Sequence, residues 1–257
     1  MTVGIIGYGF VGKAVASAYD DIMIVDPAYK EFNWTTDDLI EKCDTIFICV
    51  PTPQSDTGEC DTSILNKVLN DLAGYEGVVI CKSTASPEFY SNAEARSGLQ
   101  LAHVPEFLVQ ATATNDYLNP HKIVIGCHWT IQSKVYHAIM TDKITFKGTP
   151  EFCAIDEASM FKYMANTMLA MKVIMNNEYK DLCDKMGMNY NAIARIAQTD
   201  PRLGTTHWAV PGPDGERGFG GACFPKDTAA LAAIARTHGV DTSMLFNAVA
   251  KNTHYRK

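Results

Sequence analysis

No stretch of this sequence approaches the roughly 20 consecutive apolar residues that a membrane-spanning helix needs. Met1–Gly7 run directly into a strand pattern rather than a signal peptide, and both features point to a cytoplasmic protein. There is also no run of Lys and Arg with interleaved aromatics. With 22 basic against 29 acidic residues and a net charge of -7, the chain would repel a phosphate backbone, so nucleic-acid binding has no electrostatic support. A small anionic substrate remains compatible, because a local basic pocket can sit inside an acidic protein. The eight cysteines, Cys43, Cys49, Cys60, Cys81, Cys127, Cys153, Cys183 and Cys223, include no C-x-x-C pair. Neither a disulfide framework nor a metal site is therefore expected, and most of these thiols read as reduced, buried and inert. Internal repeats and low-complexity tracts are absent as well.

What is present suits a folded chain with a sizeable core: 257 residues, of which 47% are hydrophobic. Short apolar runs at Val3–Ile6, Ile22–Val25, Ile46–Val50, Val78–Cys81, Leu99–Ala102 and Ile123–Ile125 are rich in β-branched residues, as buried parallel strands are. They alternate with helical patterns at Val11–Tyr19, Ser63–Ala73 and Tyr90–Arg96, which predicts a doubly wound parallel α/β sheet over residues 1–150. From Glu151 to about Met186 no proline interrupts the chain, and Ile155, Met160, Met164, Met168, Met171, Ile174 and Met175 recur at helical spacing. One helix of about 50 Å follows at 1.5 Å per residue, suited to linking two domains or forming a homodimer interface. It opens an all-helical domain, 151–257, with further helices at Tyr190–Ala197, Thr228–Thr237 and Ser243–Thr253. Between the first two of these lies a Pro- and Gly-rich loop, Thr199–Gly221, long enough to be functional.

Gly7, Gly9 and Gly12 form a Gly-x-Gly-x-x-Gly directly after the first strand and at the opening of the first helix. The glycines permit a tight turn and close backbone approach, and the helix start offers N–H donors to a pyrophosphate. Asp26 closes the second strand, 19 residues after Gly7, where a carboxylate can accept from both ribose hydroxyls. Pro27 and Ala28 follow it, with no Arg to neutralise a 2′-phosphate, so NAD is favoured over NADP.

In Gly218-Phe219-Gly220-Gly221-Ala222-Cys223-Phe224-Pro225-Lys226-Asp227, Pro225 is placed to begin a helix. Cys223 then precedes a helix N-terminus, with Lys226 three positions on, and both features favour a nucleophilic thiolate. Asp227 falls in the first turn, where a carboxylate also stabilises the macrodipole. On the long helix, Lys162 and Asn166 share a face and offer an ammonium and an amide to a developing oxyanion. Alone, such a pair would more often be a solvated face. Arg202 and Arg217 in the long loop are candidates to meet phosphates, weighed equally against ordinary solvated arginines.

In order, Gly-Tyr-Gly-Phe-Val-Gly at 7–12, Val-Pro-Thr-Pro at 50–53, Ser-Thr at 83–84, Pro-Glu-Phe-Leu at 105–108, Lys162 with Asn166, and the segment around Cys223 resemble the UDP-glucose/GDP-mannose 6-dehydrogenase family. The resemblance implies oxidation of a sugar primary alcohol to a carboxylate with two NAD per sugar nucleotide, serving polysaccharide biosynthesis. It implies that Cys223 attacks the aldehyde and carries a thioester, that Lys162 and Asn166 hold the oxyanion, that Glu106 is the acid/base, and that Thr84 and Asp227 position water. The cofactor would be bound by Gly7, Tyr8, Gly9, Phe10, Val11, Gly12, Asp26, Pro51, Thr52, Ser83 and Thr84. The substrate would be bound by Glu106, Phe107, Leu108, Lys162, Asn166, Phe219, Gly220, Gly221 and Cys223.

Two departures bear on this expectation. Where the family has a second Glu four residues after the first, this sequence has Gln110. The family also continues into a third, nucleotide-binding domain, whereas this sequence ends at Lys257, so the resemblance implies a short form lacking it. UDP-glucose is the substrate most in keeping with the Phe-Pro-Lys-Asp version of the signature. The alternatives are a non-catalytic NAD-binding or regulatory partner of a full-length relative, and a dehydrogenase of another nucleotide sugar or a smaller alcohol.

Overall fold

The computed structural model describes residues 1–256, which divide into two compact units: residues 1–53 with 60–162, and residues 54–59 with 163–256. The first unit runs β1 (Val3–Ile6), α1 (Phe10–Ala16), β2 (Ile22–Val25), α2 (Thr36–Lys42), β3 (Thr45–Ile48), α3 (Ser63–Asp71), β4 (Val78–Cys81), α4 (Pro87–Ser97), β5 (Gln100–His103), α5 (Ala113–Leu118), β6 (Val124–Cys127), α6 (Gln132–Ile139) and β7 (Glu151–Cys153). Helix α7 (Ile155–Lys185) starts in this unit and continues into the second.

The strands form one seven-stranded sheet in the order β2-β1-β3-β4-β5-β6-β7. Apolar side chains on one face, among them Ile5, Phe47, Ile80 and Ile125, pack with residues of α1, α5 and α6. Those on the other face, among them Ile6, Ile46, Val79 and Leu101, pack with α2, α3 and α4. Burial on both faces is why these strands read as unbroken apolar runs rather than alternating ones. The chain order places β2 and β3 on opposite sides of β1, which makes the β1/β3 edge the switch point where a doubly wound sheet binds ligands.

The sheet departs from the all-parallel expectation at one pairing: β5 and β6 are antiparallel, with Ala102 opposite Cys127 and His103 opposite Gly126. The long helix also starts later than its sequence pattern suggests. Glu151–Cys153 pair in parallel with Val124–Gly126 as β7, and the Glu157 carboxylate accepts the Ala154 N–H at 2.8 Å just before α7 begins. The strand at 151–153 and helices α2, α5 and α6 were not among the sequence-predicted elements.

The second unit comprises the rest of α7, then α8 (Tyr190–Ala197), α9 (Phe224–Thr237) and α10 (Ser243–Tyr255). At 31 residues, α7 is about 46 Å long. Ala170 and Ile174 on it pack with Phe219 and Ala248, and Cys183 packs with Tyr190, Ala194 and Val210. The segment between α8 and α9 is held to α7 by side chains. Asn176 Nδ2 donates to the His207 carbonyl at 2.9 Å, and Asn177 Oδ1 accepts from Arg217 Nε at 3.0 Å. Among the described residues, no helix is long and apolar enough to cross a membrane.

Two glycines of the first turn differ sharply in the space around them. A Cβ on Gly12 would lie 2.0 Å from the Gly7 carbonyl oxygen, whereas one on Gly9 would meet nothing within 4 Å. Chemical denaturation should therefore find Gly12→Ala destabilised by about 1–3 kcal/mol, as expected for overpacking. Gly9→Ala should cost less than about 1 kcal/mol, the scale of losing a favourable N-cap residue.

Candidate active site

In the first unit the candidate cofactor residues cluster at the C-terminal edge of the sheet. Gly7 leaves β1 with φ +94°, a conformation that disfavours any side chain, and a Cβ there would come 2.7 Å from the Cys49 carbonyl oxygen. Gly9 is the N-cap of α1 and supplies no side-chain acceptor, and the first turn contains no acidic residue. Phe10 and Val11 follow as half-buried residues of that turn. Asp26, just past β2, accepts the Tyr8 N–H at 2.5 Å and the Ala28 N–H at 2.8 Å, so its carboxylate is fixed at the lip of the glycine turn. A cradle too tight for a Cβ, beside a positioned carboxylate, fits the pyrophosphate and adenosine ribose of NAD. Lys13 adds a cation that sequence reasoning missed: its ammonium lies 4.9 Å from the Tyr29 ring centroid and 5.6 Å from that of Tyr8.

The loops after β3 and β4 are tied to each other. Thr52 Oγ1 donates to the Thr84 carbonyl at 2.6 Å, Ser83 Oγ donates to the Val50 carbonyl at 2.7 Å, and the Tyr90 hydroxyl donates to the Ser83 carbonyl at 2.5 Å. Thr52 and Ser83 thus spend their hydroxyls on loop shape, with Pro51 exposed between Val50 and Thr52 and Thr84 half-buried.

Glu106, after β5, and Lys162, on α7, are 7% and 3% exposed and bond to each other: Lys162 Nζ donates to Glu106 Oε1 at 2.8 Å and also to the Glu106 backbone carbonyl. Glu106 Oε2 accepts the Leu108 N–H at 2.8 Å. Burial works against the charged carboxyl. The Lys162 ammonium, the Leu108 N–H and the charge of Lys82 outweigh it and hold Glu106 below its ordinary value. An ionised, fully bonded carboxylate next to a fixed ammonium can accept a proton or stabilise a developing charge. Lys162 also lies 5.3 Å from the ring centroid of half-buried Phe107. Gln110, by contrast, is exposed on a short 3-10 turn at Gln110–Thr112.

In the second unit Cys223 is the N-cap of α9, half-buried, with Phe224 as the first helical residue and Pro225 the second, one position later than the sequence suggests. The Asp227 N–H donates to the Cys223 carbonyl at 2.8 Å, closing the first turn. The Asp227 side chain, 1% exposed, accepts from Asn166 Nδ2 at 2.5 Å and from Lys226 Nζ at 2.6 Å. Asn166 and Lys162 are therefore both buried, and the solvated-face reading of that pair does not hold.

The glycines before Cys223 are shaped by α10. Asn252 accepts the Phe219 N–H at 2.7 Å and donates to the Phe219 carbonyl at 3.0 Å. A Cβ on Gly220 would collide with the Arg256 guanidinium at 2.5 Å, while Gly221, at φ +77°, faces open space. Nothing in the sequence pattern marked Asn252 or Arg256. Of the two loop arginines, Arg217 is committed to Asn177 and to Asp181 at 2.7 Å, and exposed Arg202 pairs with Asp200 at 2.6 Å within its own turn. Both are occupied by structural partners.

Comparison with known proteins agrees along nearly the whole chain. Residues 22–143 match the model of the UDP-glucose/GDP-mannose dehydrogenase family, NAD binding domain, and residues 156–254 match that family's central domain. UDP-glucose 6-dehydrogenase AglM of Haloferax volcanii is 29% identical, aligned over 98% of this chain and 69% of its own. UDP-glucose 6-dehydrogenase of Rickettsia felis is 31% identical over 84% of this chain and 49% of its own. The chain thus spans between about half and about two thirds of the length of these relatives. A UDP-glucose dehydrogenase from Pyrobaculum islandicum has the same fold, with a TM-score of 0.82 at 23% identity over 98% of this chain and 68% of that one. So does 3-hydroxyisobutyrate dehydrogenase of Mycobacterium tuberculosis, at 0.74 and 16% identity over 97% and 91%.

Replacing one member of the buried pair leaves the other charged and unpaired. Glu106→Gln should destabilise the protein at pH 7 by about 3–5 kcal/mol, and adding Lys162→Met should recover most of that loss in a double-mutant cycle. Because the folded-state value of Glu106 lies below the unfolded one, its contribution is complete above the unfolded carboxyl range. It is lost as pH falls through the folded value. The stability gap between wild type and Glu106→Gln should accordingly narrow in acid, as read by denaturant titration at several pH values.

Proposed function

The chain belongs to the UDP-glucose/GDP-mannose dehydrogenase family, and we propose that it is an NAD-dependent oxidoreductase converting UDP-glucose to UDP-glucuronate through a covalent thioester on Cys223. The observation that carries this reading is the setting of Cys223, at the N-cap of a 14-residue helix whose first turn holds buried Asp227, bonded by the neighbouring Lys226 and by Asn166 of α7. A helix N-terminus favours thiolate, and glycines on the approach leave room for a substrate beside the backbone.

NAD supplies the hydride acceptor for two successive oxidations at the sugar C6. Glu106, held ionised by Lys162, takes the hydroxyl proton as the first hydride leaves the primary alcohol. The Cys223 thiolate then adds to the aldehyde carbon, and the resulting oxygen is stabilised by the Lys162 ammonium and the Asn166 amide. Loss of the second hydride gives the thioester. Water positioned by Thr84 and Asp227 cleaves it, releasing the carboxylate and returning the thiol. Asp26 takes the ribose hydroxyls, and the glycine turn takes the pyrophosphate. Phe107, Leu108 and Phe219–Gly221 line the substrate.

We also propose a homodimer through α7. Met164, Met168, Met175, Tyr179 and Leu182 are between 48% and 67% exposed along this one helix, an apolar stripe larger than scattered surface residues explain. A second copy of the stripe is the occupant that symmetry provides.

Incubation with UDP-glucose and NAD should yield two NADH per uronate, with GDP-mannose and a sugar-free blank giving little. Cys223→Ser should abolish acid formation while NAD binding, followed by calorimetry, is unchanged, and undiminished uronate from this variant would exclude the covalent route. Asp26→Ala should weaken NAD by about tenfold or more, the scale of losing a charge-assisted hydrogen bond. Sedimentation should show a dimer that Met168→Glu with Leu182→Glu converts to monomer.

A further inference from the structure

Lys82, the residue after β4, carries a buried ammonium that the proposed chemistry does not use. The residue is 6% exposed, its Nζ is not one of the side-chain atoms sealed from solvent without a partner, and it lies 5.4 Å from the Tyr117 ring centroid. It opens on a small pocket of about 50 Å³ in the first unit, in contact with solvent. The walls are largely hydrocarbon, from Val104, Tyr117, Ile139 and Ile144, and Glu106, Phe107 and Leu108 of the candidate active site also line it, so the pocket adjoins that site.

The charges around Lys82 do not balance. Glu106 is the buried carboxylate of this unit, and both its oxygens are taken, Oε1 by Lys162 and Oε2 by the Leu108 N–H. Asp116 on α5, at the rim, is bonded to the Val109 N–H and the Thr112 hydroxyl. Cys49, after β3, is pushed up to about 12 by burial, and Tyr117 is raised well above its ordinary value by burial, so neither supplies an anion. His103 on β5 is held neutral, its value lowered to about 3 by burial. Lys122, before β6, adds a second cation at the mouth over Phe107 and Phe161, beside exposed His121. Two buried ammonium groups thus share one buried carboxylate, and an unpaired interior charge is costly until it loses its proton or gains a counter-ion.

We propose that this pocket binds a small monocarboxylate with an apolar body, its carboxylate paired with Lys82 and its hydrocarbon against Val104, Tyr117, Ile139 and Ile144. Inorganic anions satisfy the charge but forfeit the walls, whereas a neutral analogue fills the walls but leaves the charge. Burial lowers Lys82 to about 8, with Lys162 adding to the effect and the Glu106 carboxylate opposing it. Binding requires the charged form, so affinity is full below that value and falls as pH rises through it.

The site does not depend on turnover, and its test is binding to the whole chain with butyrate as the probe. Saturable shifts of the Ile139 and Ile144 methyl signals on butyrate titration are expected. Butyramide and formate should each bind at least about tenfold more weakly, and butyrate affinity should fall about tenfold per pH unit above about 8. Lys82→Met should lose butyrate. Equal binding of butyramide, equal binding of formate, no saturable shift, or full affinity in a folded Lys82→Met variant would each overturn the proposal. If that variant fails to fold, the wild-type pH profile decides: a flat profile through pH 9 rules out Lys82 as the counter-charge.

Discussion

The buried ion pair between Lys162 and Glu106 ties two remote segments of the first unit together. One lysine bonds both the carboxylate and the backbone carbonyl of the same residue, which offsets the cost of placing its ammonium in the interior. That double attachment anchors the first turns of α7 to the loop leaving β5. The same turns are pressed on β6, where a Cβ on Gly126 would come 2.5 Å from Ala158, and are further tied by Ser159 to the Ala85 carbonyl at 2.6 Å. Polar groups thus fix where α7 begins, while the apolar sheet faces supply most of the burial.

The second unit uses the same logic with different groups. Asp227 is buried because an amide and an ammonium meet its two oxygens, and the loop before Cys223 is shaped because Asn252 meets both the N–H and the C=O of Phe219. Asn166 and Asn252 reach these buried groups from distant positions in sequence, and Lys226, the neighbour of Asp227, completes the set. Residues proposed for chemistry therefore double as structural members. Substitutions at Glu106, Lys162 or Asp227 report on folding as well as on turnover, so the two need separate readouts.

Several elements missed from the pattern failed for identifiable reasons. Helix α2 is only seven residues, too short for apolar periodicity to register, although Thr35 and Asp38 form a reciprocal capping box that a reading for caps would have found. Strand β7 is three residues long, exposed at Glu151 and Phe152, and defined by its pairing with β6 rather than by composition. Lys82 and Lys13 follow the same rule. A lysine in a strand-to-loop turn or on a helix gives no sign of whether it is buried against Tyr117 or lies over Tyr29.

The linear pattern alone determined the alternation of strands and helices, the glycine turn with Asp26, the long α7 and the signature around Cys223. Those features are local, set by backbone permissiveness at glycine, by side-chain periodicity and by spacing over a few turns. Only the tertiary structure decided the antiparallel β5–β6 pairing, the burial of Lys162 and Asn166, the commitment of Arg217 to Asn177 and Asp181, and the uncompensated charge at Lys82. Each depends on which groups from remote segments arrive at the same point, and on how completely water is removed there. Desolvation, which sets the cost of every buried charge, is a property of the packed volume and has no counterpart in the order of residues along the chain.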